Sequence, residues 1–453
     1  MRLPHVAVVS RLGRFLPRLL LLFALLALAP AFAGLADPAR PPVDFLSYRR
    51  AADDLERGGS PYQSPEEARA IWRQFHAAEA DLLAAAARGE GAAALRALTA
   101  GAPRPGPYLY PPTLALLVAE LGLSAHHFAG LILLSILGFG WLWIGQARAG
   151  ALGAVLVVAS WDVLASWSGG NVELVLLFAA LAAGWLMGGR GALAAGPLVA
   201  FVLLVKPFYA LLFVAFTALQ LVGDPSRRRA TLRRAAAAGA AALLVGLVEV
   251  ARWGDRLRAE AVGYLAGALD RQWLVLPVAE QTPMSAWNRT PLQGLVSAGL
   301  PLAAAVAAAA VLWLFAAGAT LRLVRGARPA FPALFGLALV LLYWGRPVGW
   351  TLPYLEAVVV GVAWPALGRR GRAALLAAAA TLMASHWWAL ALTLRGEGLP
   401  LLTLQRADLP WETWLVLPAA WSVLLWSTRA AAAGAAAERP SESGRQPNTP
   451  PVP

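Results

Sequence analysis

Asp44, Asn171, Lys206, Asn288, Arg289 and Arg346 are polar residues standing in breaks between long apolar runs. A carboxylate such as Asp44 can take a proton as a general base, an effect on the order of 10²–10⁴-fold. It can equally be an acid solvated beside a helix end. Lys206 lies inside the apolar run 198–219, where a buried cation costs roughly 2.5–3.5 kcal/mol and marks a functional candidate. Its ordinary alternative is a lysine snorkelling to the interface. Arg346 and Arg289 each offer a bidentate fork for a phosphate, or serve as interfacial anchors. Asn171 follows Ser168-Gly169-Gly170 and can cap the helix after it, a role compatible with a ligand contact. Asn288-Arg289-Thr290 also fits a glycosylation acceptor, although the proline that follows makes it a poor one.

Other charges have simpler readings. Asp53 and Asp54 belong to a solvated face, and Glu249 with Arg252 is spaced for an i,i+3 pair near a helix end. Glu356 and His386 fall inside later apolar spans and are less easily set aside. The five histidines lack metal-ligand spacing and cysteine is absent. No metal, cofactor or disulfide is therefore expected. No glycine-rich nucleotide loop precedes a helix.

The elements that must position these residues are helices in a membrane. Hydrophobic residues make up 59% of the 453 and charged residues 14%, and mean hydropathy is +0.60. Ordinary soluble proteins do not have this balance. Apolar runs long enough, or nearly so, to cross a bilayer as helices recur along the chain. Helices satisfy their own backbone there, so an all-α polytopic bundle is expected. The formal charge of +13 suits arginine-rich inner loops meeting anionic lipid rather than nucleic acid.

The breaks alternate. Arg148, Arg190, the Arg227–Arg234 cluster, Arg322/Arg325/Arg328 and Arg369/Arg370/Arg372 fill every second one, and the lone polar residues fill the others. Short arginine-rich loops stay cytoplasmic, so the lone polar residues are expected together at the outer face of the cell (inner) membrane. The predicted order begins with a signal-anchor-like first helix in 1–36 and a long extracytoplasmic loop in 37–122. In that loop 71–87 and 91–99 read as helices lying on or near the membrane, and 109–122 is re-entrant or interfacial because a full crossing would invert every later arginine cluster. Spans fill 123–252, a second outer loop 253–291, further spans 292–430, and a disordered cytoplasmic tail 431–453. About twelve crossings result, one of them a single span over 292–317. A helix break is expected at Lys206-Pro207, where proline removes a donor.

Asp44-Phe45-Leu46-Ser47-Tyr48, Gly58-Gly59-Ser60-Pro61-Tyr62 and Tyr108-Leu109-Tyr110-Pro111-Pro112 occur in order. They are followed by Gly170-Asn171, Lys206-Pro207, Asn288-Arg289-Thr290 and Arg346-Pro347-Val348-Gly349-Trp350. This succession resembles glycosyltransferase family 87, polyprenyl-phosphate-mannose-dependent mannosyltransferases of the GT-C membrane fold. Two departures stand out. Thr351, Leu352 and Pro353 occupy the place where the family tends to have a histidine, and the segment between Tyr62 and Tyr108 is longer than usual. His386, flanked by Trp387 and Trp388, could take the missing histidine's place.

The resemblance implies an extracytoplasmic transfer of mannose or a similar hexose from a polyprenyl-phosphate sugar to a lipid or glycan acceptor. Asp44 would be the base, and Lys206, Arg346 and Arg289 would hold the donor phosphate. Tyr48, Tyr62, Tyr110, Asn171, Asn288, Trp350 and His386 would line the substrate. A transporter or lipid flippase would instead show related halves and midplane polar residues. A lipid-linked glycan polymerase or ligase is a second rival.

Overall fold

The computed structural model describes residues 42–64, 106, 108–146, 160–168, 170–189, 191–270, 290–347, 349, 352–395 and 412–437, with Leu22 and scattered positions in 66–93 and 152–157. Among these, every regular element is helical. The first is α1 (Val43–Glu56), followed by α2 (Pro112–Glu120), α3 (Ala125–Gln146) and α4 (Trp161–Ser168). Next come α5 (Glu173–Gly188), α6 (Ala192–Val205), α7 (Ala210–Gly223) and α8 (Arg228–Asp270). The second half holds α9 (Pro291–Ser297), α10 (Leu302–Val324), α11 (Phe331–Gly345), α12 (Leu355–Ala363), α13 (Arg369–Arg395) and α14 (Leu417–Ala437).

Among the described residues, four stretches are long and apolar enough to cross a membrane: Ala125–Gln146, Pro225–Leu265, Leu302–Val324 and Trp414–Gly434. Five shorter apolar helical stretches accompany them. Leu243, Leu247 and Phe315 are 65%, 56% and 70% exposed, so α8 and α10 present surfaces that require an apolar surrounding.

Local chemistry explains the boundaries of α5 to α7. Gly191 stands before α6, and Pro207 follows its C-cap, Lys206. A residue before proline is driven to extended backbone, and Lys206 has φ −139° and ψ 90°. A 3₁₀ turn, Pro207–Tyr209, then opens α7. The expected break is therefore present.

Helix direction sorts the polar residues into two ends. Helix α5 runs away from Glu173, and α6 returns to put Lys206 beside it at 2.5 Å. Helix α11 also ends there, with Arg346 at 2.9 Å from Glu173. At the opposite end, Arg234 donates to the Gly188 carbonyl at 2.8 Å, and Asp224 pairs with Arg227 and Arg328. Among the described residues, Lys206 and Arg346 thus gather with Glu173 at one end of these helices, and Arg227, Arg234 and Arg328 lie at the other.

Several boundaries differ from the sequence expectation. The stretch 292–317 is not one helix: it breaks between α9 and α10, where Gly299 takes φ +93° and Pro301 precedes the new first turn. The outer segment after 252 continues as helix to Asp270 beyond a kink at Gly254, φ 48°. Helix α14 runs to Ala437, past the expected start of the tail. Arg252 pairs with Glu120 at the end of α2 rather than with Glu249, because α8 passes the end of that helix. The proposed first helix apart from Leu22, residues 271–289 and residues 438–453 lie outside the described residues.

The crossing of α6 and α8 rests on a small-residue contact. A Cβ on Gly196 in α6 would lie 2.3 Å from Ala241 Cβ and 2.9 Å from its backbone in α8. Small residues at such crossings let membrane helices pack backbone to backbone. Gly196→Leu should lower the melting temperature of solubilised protein, with an overpacking cost of about 1–3 kcal/mol or more. Gly239→Ala, which meets nothing within 4 Å, should leave it unchanged or slightly raised, as thermal scans of the two variants would show.

Candidate functional site

The start of α1 is seated on the turn before α5. Gly170 has φ +69°, and a Cβ there would lie 2.6 Å from Pro42 Cβ. Glycine therefore supplies both the left-handed backbone and the space. This contact brings Asp44, in the first turn of α1, to Asn171. The Asn171 Oδ1 accepts the Glu173 N–H at 2.9 Å, an Asx arrangement that initiates α5. Its side chain also faces the Asp44 carboxyl and favours its anion. The capping and site roles of Asn171 coexist.

Glu173 is the functional residue that the sequence reading missed. Its Oε2 receives Lys206 Nζ, and its Oε1 receives both Arg346 Nη1 and Tyr209 OH, the latter at 3.0 Å. The side chains of Glu173 and Arg346 are 6% and 2% exposed; that of Lys206 is 12% exposed. Arg346 faces the carboxylate and stacks over the Tyr343 ring at 4.5 Å. Gly349 gives it room, since a Cβ there would lie 2.0 Å from Arg346 Nε. Lys206 is the more open cation, 5.3 Å above the Tyr110 ring. An acid opening a long apolar run was the available signal. It was overshadowed by the ordinary preference for acids in a first helical turn.

The tyrosines divide their work. Tyr108 donates to the Pro111 carbonyl at 2.6 Å and accepts from Ala115 N–H, which shapes the start of α2. Tyr62 donates to the Tyr110 carbonyl, and Tyr48 donates to the Tyr110 hydroxyl, both at 3.1 Å. Tyr48 is buried and also accepts the Val172 N–H at 3.4 Å. Tyr62 and Tyr110 are only partly buried, so they can present a face to a ligand.

No family model matches the chain, nor does any curated protein or solved structure. The functional reading rests on the residues themselves. The structure brings Asp44, Tyr48, Tyr110, Asn171, Lys206 and Arg346 to one end, with Tyr62 at its margin. Asn288, Arg289 and Trp350 lie outside the described residues. His386 is within α13, but its side chain is likewise outside them. Asp162 was also missed: it accepts the Leu352 N–H at 2.8 Å and ties the chain after Arg346 to α4. Among the described residues no group of three His, Cys, Asp or Glu could hold a metal ion.

The four central charges, Asp44, Glu173, Lys206 and Arg346, sum to zero when all are ionised. Burial raises the Asp44 carboxyl from 3.8 to about 6, partly offset by Lys206 and the Asn171 side chain. Such an acid is ionised at neutral pH yet still basic enough to take a proton.

The raised value has a stability consequence. The folded state favours neutral Asp44, so this contribution is fully present below pH 3.8 and is lost as pH rises through about 6. Above that, ionised Asp44 costs up to about 3 kcal/mol. Asp44→Asn should therefore melt higher than the parent at pH 8. The difference should shrink between pH 6 and pH 4, as a pH series of melting curves would establish. A variant less stable at pH 8 contradicts this account.

Proposed function

We propose that this chain is a polytopic membrane glycosyltransferase of the GT-C kind, with about twelve crossings and its site at the extracytoplasmic face. It transfers mannose or a similar hexose from a polyprenyl-phosphate donor to a lipid or glycan acceptor, with inversion at the anomeric carbon. Asp44 removes the acceptor hydroxyl proton as that oxygen attacks. The bond between the anomeric carbon and the phosphate oxygen breaks, and the lipid phosphate leaves with its negative charge. Lys206, the more open cation, faces that charge. A cation fixed before the reaction is a large catalytic contribution. Arg346 acts behind it through Glu173.

The observation that carries this reading is a partly buried carboxyl, raised to about 6, at the same end of the bundle as a lysine that is itself paired with Glu173. The arginines at the other end support this sidedness, since short arginine-rich loops favour the cytoplasmic side. A transporter would place its polar residues near mid-membrane. Here they gather at helix ends.

Membranes incubated with radiolabelled polyprenyl-phosphate-mannose should transfer label at pH 7.5. Asp44→Asn should reduce transfer about 10²–10⁴-fold. In the parent, kcat/KM should fall tenfold per pH unit below about pH 6, the limb set by the free Asp44 carboxyl. Equal transfer by parent and variant removes Asp44 from its role. If neither transfers label, translocation of the same donor in proteoliposomes becomes the discriminating assay, and movement across the bilayer would favour a flippase.

A further inference from the structure

We propose that Glu173 is a positioning residue that holds Lys206 away from Asp44, keeping the lysine for the ligand and the aspartate basic. This deepens the functional reading and rests on it for the catalytic meaning of Asp44. The competition of two carboxylates for one lysine belongs to the fold alone.

The geometry of the cluster supports the assignment. Asn171 stands between the two acids: its carbonyl oxygen is committed to the Glu173 backbone at 2.9 Å, and its side chain faces Asp44. Lys206 interacts electrostatically with both, but its 2.5 Å contact is with Glu173. The other groups facing Asp44 are Tyr48 from α1 and Tyr110 from the segment before α2. Glu173 is faced in addition by Tyr209, Arg346 and Tyr343. Arg346 and Tyr209 fix one carboxylate oxygen, leaving the other to take the lysine. With two cations on Glu173 and one charge on Asp44, a lysine released from Glu173 has Asp44 as its remaining acidic partner. Pairing with that lysine would stabilise the aspartate anion and weaken it as a base.

The test follows Asp44 protonation directly. Infrared titration of solubilised protein reads its protonated carboxyl band, assigned by the band's loss in Asp44→Asn. Glu173→Gln should move the titration at least one pH unit downward, a tenfold change in proton affinity. In a Lys206→Met background the same substitution should produce less than a third of that shift, because the released partner is gone. Glu173→Gln alone leaves buried cations unpaired and can prevent folding. The double variant Glu173→Gln/Arg346→Gln removes both members of a buried pair, a change that proteins commonly tolerate. It should shift the titration in the same direction.

An unmoved titration, or one equally moved with and without Lys206, overturns the proposal. The transfer assay is independent of this readout. Failure to transfer any donor would remove the enzymatic reading and leave the positioning result standing, whereas an unmoved band would sink the positioning even where transfer is seen.

Discussion

The bridge made by Glu173 fixes the register of one end of the bundle. It connects the first turn of α5, the break after α6 and the end of α11, residues separated by 33 and 173 positions in the chain. Lipid tails are as apolar as the side chains between membrane helices, so apolar contact supplies little preference for one helix register over another. A carboxylate between two cations does. Removing one member of a buried pair costs about 3–5 kcal/mol, since the others remain charged without compensation. Each helix is also ended where the bridge needs it, α6 by Pro207 and α11 beside Arg346. The local sequence and the tertiary contact therefore agree on the same level.

That agreement explains which parts of the site could be read in advance. Lys206 was conspicuous because a cation interrupts an apolar run and a proline follows it. Arg346 was conspicuous because it breaks the alternation of arginine-rich and arginine-poor segments. Glu173 breaks no pattern, since an acid in a first turn is what a helix dipole favours. Its role is visible only once α6 and α11 are folded against it. Arg252 shows the opposite error: an i,i+3 neighbour suggested a local pair, and the end of α2 supplied a different partner in Glu120. Among the described residues, the helical character of the apolar runs was legible from hydropathy. The interruption at Gly299 and the continuation of α8 past Gly254 were not, because a glycine in an apolar run signals several geometries.

The aromatic motif was also only half legible. In Tyr108-Leu109-Tyr110-Pro111-Pro112 only Tyr110 is expected at the substrate, and nothing in the motif shows that Tyr108 spends its hydroxyl on the backbone that begins α2. Tyr110 receives hydrogen bonds from Tyr48 and Tyr62 and offers its ring to Lys206. The two rings lie side by side, 6.0 Å apart, and differ in what their hydroxyls bond: Tyr108 binds the backbone at the start of α2, and Tyr110 receives Tyr48.

Gly170 and Pro42 show how two motifs with little individual information become one feature. A glycine before an asparagine is a common turn, and a proline before an aspartate is a common helix start. In this fold the left-handed glycine leaves the space that the proline fills at 2.6 Å from where a Cβ would stand. The contact seats the first turn of α1 against the start of α5, so the two polar side chains that follow, Asp44 and Asn171, must meet. Burial of the carboxyl then follows from backbone packing rather than from any property of the aspartate. Its raised proton affinity is thus set by a glycine about 125 residues away in the chain. Any substitution at Gly170 would disturb the chemistry of Asp44 without touching its side chain.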